Sequence, residues 1–322
     1  MPNNQNIGGG SSPFIKFIGG KSQLLHELLP RLPARIETYH EPFVGGGALF
    51  FALASESPRR YRRAVISDFN AELINTYQVV RDNPQYLMKL LDDYGDRLDK
   101  ESYYFFRAKQ PESMNPIERA ARFIYLNKTG FRGMYRVNKH GEFNIPYGNY
   151  KNPKLYDHEP IIACSHALSD VDILCADFAR VESSVWPGDV IYADPPYVPA
   201  SATSSFTGYT SDGFDWRAQV RLKNIAMRCS ERGAHVMLSN SNVPIIHTTY
   251  LHESSVVKTA NGSSIARDVR IDVIDVKHNI NPYEKGDGSR SARTEVIISI
   301  SPRARRVFAN VSTIVASTTN DA

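Results

Sequence analysis

The stretch Arg35-Ile-Glu-Thr-Tyr-His40, then Glu41-Pro-Phe-Val-Gly-Gly-Gly47, then Ala48-Leu-Phe-Phe-Ala-Leu-Ala-Ser55 decides the fold. It reads as a short strand, a glycine turn and an apolar helix. The same succession recurs along the chain. Arg63 to Ser67 reads as a strand ending at Asp68, and Ala71 to Arg81 as a helix stopped before Pro84. Val171 to Ala176 precedes Asp177-Phe178, Asp189 to Ala193 precedes Asp194, and His235 to Leu238 precedes Ser239-Asn240. Val256 to Thr259 and Glu295 to Ile300 are further strand patterns, and Gln23 to Leu32 and Trp216 to Arg232 read as helices. Between the two strand–helix blocks lie polar helical patterns up to Lys109, a helix over Pro116 to Leu126, and a Gly- and Asn-rich stretch with a turn at Lys139-His-Gly141. Strand–helix alternation on both sides of such an insertion predicts an α/β protein, with a parallel sheet and a second, inserted module.

Composition narrows the class. Of the 322 residues, 42% are hydrophobic and 22% charged, which excludes a wholly disordered chain. Cys164, Cys175 and Cys229 form no CxxC pair, so neither a disulfide framework nor a Cys-based zinc site is expected. Metal is expected to be absent, a reducing cytoplasm is the natural compartment, and no apolar run suits a membrane span. Residues 1–12 read as a disordered leader and residues 311–322 as a loose tail. Net charge is only +4, but residues 127–154 hold six bases against the single acid Glu142. Phe131, Tyr135, Phe143, Tyr147 and Tyr150 interleave with those bases. Cations for phosphates and rings for bases suit a nucleic-acid surface, although charge alone does not separate this from a solvated basic face.

Open parallel sheets bind ligands at the carboxyl ends of their strands. Here those ends carry the Gly45-Gly46-Gly47 turn and the aspartates Asp68, Asp177 and Asp194. Asp68 follows Gly47 by 21 residues, a spacing that suits a carboxylate gripping ribose hydroxyls. An adenosine-bearing cofactor fits. A GxGxxG dinucleotide fingerprint fails because Phe50 holds the last position, and a P-loop fails because Ile15 stands where the first glycine is needed.

Asp194-Pro195-Pro196-Tyr197 is the most specific signal. Two prolines remove backbone donors and stiffen the chain, leaving a carboxylate and a proline carbonyl as a rigid pair of acceptors. Such a pair suits a planar amino group conjugated to a ring. It takes both N–H bonds, draws the nitrogen toward a tetrahedral shape and exposes its lone pair to an electrophilic methyl. Tyr197 offers a flat face to the ring and to a sulfonium cation.

With these residues the chain resembles the Dam-type (D12 class) N6-adenine-specific DNA methyltransferases. The matching segments, in that family's order, are Phe14-Ile-Lys-Phe-Ile-Gly-Gly-Lys21, Glu41 to Gly47, Ser67-Asp-Phe-Asn70 with Leu73 to Tyr77, Asn127-Lys-Thr-Gly-Phe-Arg-Gly133, Gly141-Glu-Phe-Asn-Ile-Pro-Tyr-Gly148 and Asp194 to Tyr197 with Ser201, Thr203, Phe206 and Tyr209. The resemblance runs from about Pro13 to Ile300.

It implies a Rossmann-like S-adenosylmethionine-dependent methyltransferase sheet with helices on both faces, formed by residues 13–70 and 159–310. The inserted residues 71–158 would be a mainly helical and hairpin DNA-recognition domain. Phe17, where near relatives carry tryptophan, would join Lys21, Phe43, Gly45, Asp68, Asp177, Phe178 and Asp194 at S-adenosyl-L-methionine. Asp194, Pro195 and Tyr197 would be catalytic. The resemblance further implies double-stranded DNA as partner, with adenine flipped from the helix and GATC as the site. Phe131 would stack in the opened duplex and Arg136 would read guanine. Met134, Asn144, Pro146 and Tyr150 would face DNA, and Lys128, Arg132, Lys139 and Lys151 would contact phosphates. Arg132 replaces the asparagine of near relatives. Ser201, Thr203 and Phe206 would cover the flipped base. A monomer is expected, cytoplasmic and on the nucleoid when DNA is bound. The competing readings are the same chemistry at another DNA site, on RNA or on a glutamine amide, and a catalytically inactive DNA-binding relative.

Overall fold

A computed structural model describes residues 11–17, 19–198, 214–251, 257–258, 264–266, 268–276 and 293–302. In chain order it contains α1 (Leu25–Leu28), β1 (Ile36–Glu41), α2 (Ala48–Ala54), β2 (Tyr61–Asp68) and α3 (Ala71–Asp82). Next come α4 (Pro84–Gly95), α5 (Lys100–Ala108) and α6 (Pro116–Thr129), which with α3 fall within the residues 71–158 that the sequence assigns to the insertion. Then come α7 (His158–Leu168), β3 (Val171–Cys175), β4 (Val190–Ala193), α8 (Trp216–Glu231), β5 (His235–Ser241) and α9 (Pro244–Tyr250). The described chain closes with β6 (Val257–Lys258), β7 (Ser264–Ala266), β8 (Val269–Val276) and β9 (Arg293–Ile300).

The described strands form one sheet in the order β3-β2-β1-β4-β5-β9-β8-β7-β6. The first five in that order pair in parallel, and β9 joins β5 antiparallel. The winding reverses between β1 and β4, so a crevice opens at their carboxyl ends, where such sheets take ligands. This is a Rossmann-like sheet, and alternation along β4 shows that both its faces are covered. Val190 and Tyr192 join the core shared with α2, α3, α6 and α7. Ile191 and Ala193 join the core under α8 and α9.

Local signals explain the helix starts. Asn70 accepts from Glu72 N and Leu73 N at the head of α3. Asn115 and Glu118 make a reciprocal capping box at α6, with Pro116 where its missing N–H costs nothing. In the insertion, the Arg122 side chain is buried and donates to the Phe106 and Arg107 carbonyls, tying α6 to the end of α5.

Several expectations shift. Gln23 to Leu32 is not one helix but a 3-10 turn, α1 and another 3-10 turn, because Pro30 lacks the N–H that a continuous ladder needs. β3 ends at Cys175, so Asp177 lies two residues beyond the strand and caps a 3-10 turn instead. Ser11 and Ser12, assigned to the leader by sequence, are already held. Ser11 Oγ donates to the Phe51 carbonyl, and Cys164 Sγ donates to that of Ser12. Helices α7 and α9 and strands β7 and β8 are additions.

Candidate active site

The glycine turn places its backbone by being bare. Gly45 and Gly47 have φ of 46° and 68°, and Gly47 heads α2 in a left-handed conformation. A Cβ at Gly47 would lie 2.6 Å from Tyr77 Oη, the hydroxyl that donates to the Gly45 carbonyl. Gly47→Ala is therefore expected to cost about 1–3 kcal/mol, read as a lower urea midpoint at unchanged slope.

Asp68, the last residue of β2, faces this turn. Its Oδ2 accepts from Gly45 N at 3.1 Å and its Oδ1 from Asn70 N at 3.0 Å. Burial raises its pKa, while these backbone donors pull the other way. Phe17 lies over the turn from the other side: a Cβ at Gly45 would sit 3.0 Å from its ring carbons. Its ring is half-exposed. Phe43 stacks on Phe178 with centroids 5.3 Å apart. Asp177 pairs with Arg221 of α8, and the Arg221 guanidinium lies over the Phe178 ring. Ala176 N donates to the Asp68 carbonyl, so this cluster adjoins Asp68.

Asp194 follows β4 directly. Lys21, one of the few buried cations, bridges to its Oδ2 at 2.9 Å and donates to the Gly19 carbonyl at 2.6 Å. The Lys21 ammonium also lies 4.8 Å from the Tyr197 ring centroid. Sequence resemblance links Lys21 with the cofactor; its side-chain partners here, Asp194 and Tyr197, belong to the Asp-Pro-Pro-Tyr motif. Asp194 Oδ1 is buried and lacks a hydrogen-bond partner among the described residues. Burial raises the Asp194 pKa, opposed chiefly by Lys21. The Pro196 carbonyl is taken by Gln219 Nε2 at 2.8 Å, and Asn240 holds both Gln219 and the Val198 amide. The motif is thus fixed from below by buried amides, with the Asp194 carboxylate and Pro195 held at the crevice.

The second cluster lies on the insertion. After α6 the chain turns at Phe131–Gly133 and forms a hairpin with bridges Gly130–Tyr147 and Val137–Phe143. Arg107 of α5 donates to the Phe143 and Ile145 carbonyls and holds it in place. Phe131 is exposed, with the Arg132 guanidinium over its ring. Arg132 adopts φ 58°, a conformation that asparagine takes more readily than arginine. Its N–H donates to Tyr150 Oη. Arg136 Nε donates to Asn144 Oδ1 at 2.8 Å across the hairpin. Phe131 N donates to the Pro146 carbonyl, Met134 is half-buried against the core, and Lys139 and Lys151 are exposed. Lys128 is half-buried, and burial together with Lys16 lowers its pKa. Ser201, Thr203 and Phe206 lie outside the described residues.

Sequence reading missed the groups that join these clusters. Asn127 is buried and clamps the Lys16 backbone through N–H and carbonyl, while also donating to the Gly133 carbonyl. The Lys16 ammonium lies over Tyr150. Both residues sit inside the quoted motifs, which was their only signal. Phe69, beside Asp68, is 80% exposed. Glu41 ends β1 inside the deciding stretch. Buried, it accepts from Tyr39 Oη, and burial pushes its pKa up to about 8. Glu295 of β9 accepts from Tyr197 Oη at 2.8 Å. Among the described residues no group of three or more His, Cys, Asp or Glu could hold a metal, and no helix is long and apolar enough to cross a membrane.

Residues 17–263 match the family model described as D12 class N6 adenine-specific DNA methyltransferase. A type II methyltransferase of Lactococcus lactis subsp. cremoris is 40% identical over 272 residues, covering 81% of this chain and 94% of that protein. A type II methyltransferase of Methanocaldococcus jannaschii is 42% identical over 244 residues, covering 71% and 84%. A DNA adenine methylase of Escherichia coli K12 is 33% identical over 239 residues, covering 74% and 83%.

Proposed function

The chain belongs to the D12 class N6 adenine-specific DNA methyltransferases, and from that premise we propose that it methylates the N6 amine of an adenine flipped from duplex DNA, within GATC, using S-adenosyl-L-methionine. The observation that carries the chemistry is the Asp194 carboxylate, fixed by Lys21 at Oδ2 and with Oδ1 unpartnered among the described residues, beside Pro195 at the end of β4. A buried acceptor without a donor calls for one. A conjugated amine supplies two, and accepting both loosens its lone pair from the ring.

The residues present fit the cofactor. Phe17, Gly45 and Asp68 would hold its methionine and ribose parts, and Phe43, Asp177, Phe178 and the exposed Phe69 its adenine side. Lys21 fixes Asp194, and Tyr197 presents its ring face to the same point. Bound there, the cofactor supplies an electrophilic methyl on a sulfonium, which a ring face favours electrostatically.

DNA reading falls to the hairpin. Phe131, Met134, Pro146 and Tyr150 supply apolar surface for the opened duplex, and Lys128, Arg132, Lys139 and Lys151 supply charge for phosphates. Arg136, held at Nε by Asn144, presents its outer amines for a bidentate contact to guanine. Arg136→Ala is expected to reduce discrimination at one guanine of the site by about 10–100-fold, measured as the kcat/KM ratio of cognate to substituted duplex. The site assignment is tested by treating unmethylated plasmid with the enzyme and S-adenosyl-L-methionine, then digesting with nucleases sensitive to adenine methylation. Protection confined to GATC supports it. Methylated DNA that is still cut at GATC overturns it.

A further inference from the structure

Tyr197 is held at both its ends. Its ring face carries the Lys21 ammonium, 4.8 Å from the centroid, and its hydroxyl donates to Glu295 Oε2 at 2.8 Å. Glu295 comes from β9, 98 residues further along the chain, and it is buried. Its place is fixed by the ladder on both sides: it pairs with Ser241 of β5 and with Ile274 of β8. A carboxylate there is an expensive choice for a strand whose neighbours Val296, Ile297 and Ile298 are fully buried.

We propose that Glu295 is a positioning residue for methyl transfer, acting through the Tyr197 hydroxyl to hold the tyrosine ring face at Asp194. The inference rests on the reading of Asp194 to Tyr197 as the transfer centre. Two physical effects follow from the bond. It removes rotation of the loop that carries Tyr197, so the ring stands ready before substrate arrives. A phenol donating to a carboxylate also gains electron density in its ring, which strengthens the attraction of the ring face for a cation. Burial and the Asp194 and Glu295 charges raise the Tyr197 pKa, so the hydroxyl keeps its proton and remains the donor.

The test is a double-mutant cycle on the full chain with duplex DNA and S-adenosyl-L-methionine: Glu295→Leu, Tyr197→Phe and the two together, with Glu295→Gln as the variant that keeps an acceptor. Single-turnover rates, KM for DNA and thermal midpoints are read for each. Glu295→Leu is expected to lower the transfer rate about 10–100-fold, the worth of a hydrogen bond to a charged group, with KM for DNA changed less than about threefold. Glu295→Gln should recover most of that loss. In the Tyr197→Phe background, Glu295→Leu should cost nothing further. Losses that multiply, or a Glu295→Gln variant as slow as Glu295→Leu, overturn the proposal, since a residue needed only for β9 would act regardless of the tyrosine hydroxyl. Should Glu295→Leu not fold, Tyr197→Phe alone decides, since it removes the hydroxyl and leaves β9 intact: a loss of about 10–100-fold in transfer rate is expected, and a variant as fast as the parent overturns the proposal. Failure of the underlying reading is separate: the unmutated chain would then leave adenine in DNA unmethylated.

Discussion

Asp194→Ala is expected to slow methyl transfer by about 10³-fold while DNA binding stays within a few-fold of the parent. The size follows from what the carboxylate does. In the proposed role it faces charge that develops on the amine during attack, and removing one such preorganised group typically costs about 10²–10³ in rate. A further loss comes from Lys21, whose ammonium is buried and would lose the Oδ2 partner at 2.9 Å. Asp194→Asn keeps an acceptor but not the charge, so it should fall between the two. Single-turnover transfer from labelled cofactor measures the rate, and fluorescence anisotropy of a labelled duplex measures binding. A mutant as slow in binding as in transfer would place Asp194 in DNA recognition instead.

The second large effect is expected at Asp68. Its two oxygens each accept one backbone N–H, from Gly45 and Asn70. In the proposed cofactor site each retains a lone pair for a ribose hydroxyl, and hydrogen bonds to charged groups contribute about 1.5–3 kcal/mol apiece. Asp68→Ala removes both and also releases the Gly45 amide. Affinity for S-adenosyl-L-homocysteine, measured by titration calorimetry, should fall by at least about 10²-fold. Transfer at saturating cofactor should fall much less. Equal losses in both would assign Asp68 to the chemical step.

The parts of this molecule that were legible in its sequence are those where a strand meets a punctuating residue. The β1 pattern broken by Pro42 and the glycine turn, β2 closed by Asp68, and β4 closed by Asp194 each combine a short apolar run with a residue that cannot continue it. Their acidic ends then gather at one crevice because parallel strands all end on the same side. Asp177 was placed at a strand end by the same rule, yet β3 stops two residues earlier. Helix α7 escaped because Pro160 sits inside its first turn, where proline is tolerated but reads as a break. Strand β8 alternates Val269, Ile271 and Val273 with polar residues, an ordinary strand pattern.

Side-chain partnerships across the chain were the illegible part. Lys21 meets Asp194, Asn127 meets Lys16, and Glu295 meets Tyr197, the last two 111 and 98 residues apart. Nothing local marks such pairs, since each depends on sheet order and on the register of β9. The resemblance located the motifs that contain most of these residues, but only the packed fold shows that the Asn127 amide joins the Phe14–Lys21 segment to the turn at Gly133.

The most direct measurement is mass spectrometry of nucleosides from duplex DNA incubated with the protein and trideuteromethyl-labelled S-adenosyl-L-methionine. The account predicts trideuteromethyl N6-methyl-2′-deoxyadenosine, at a yield that follows the number of GATC sites, and none when Asp194→Ala replaces the parent. Label on cytosine, or unlabelled adenine from DNA rich in GATC under conditions where the cofactor binds, would contradict it.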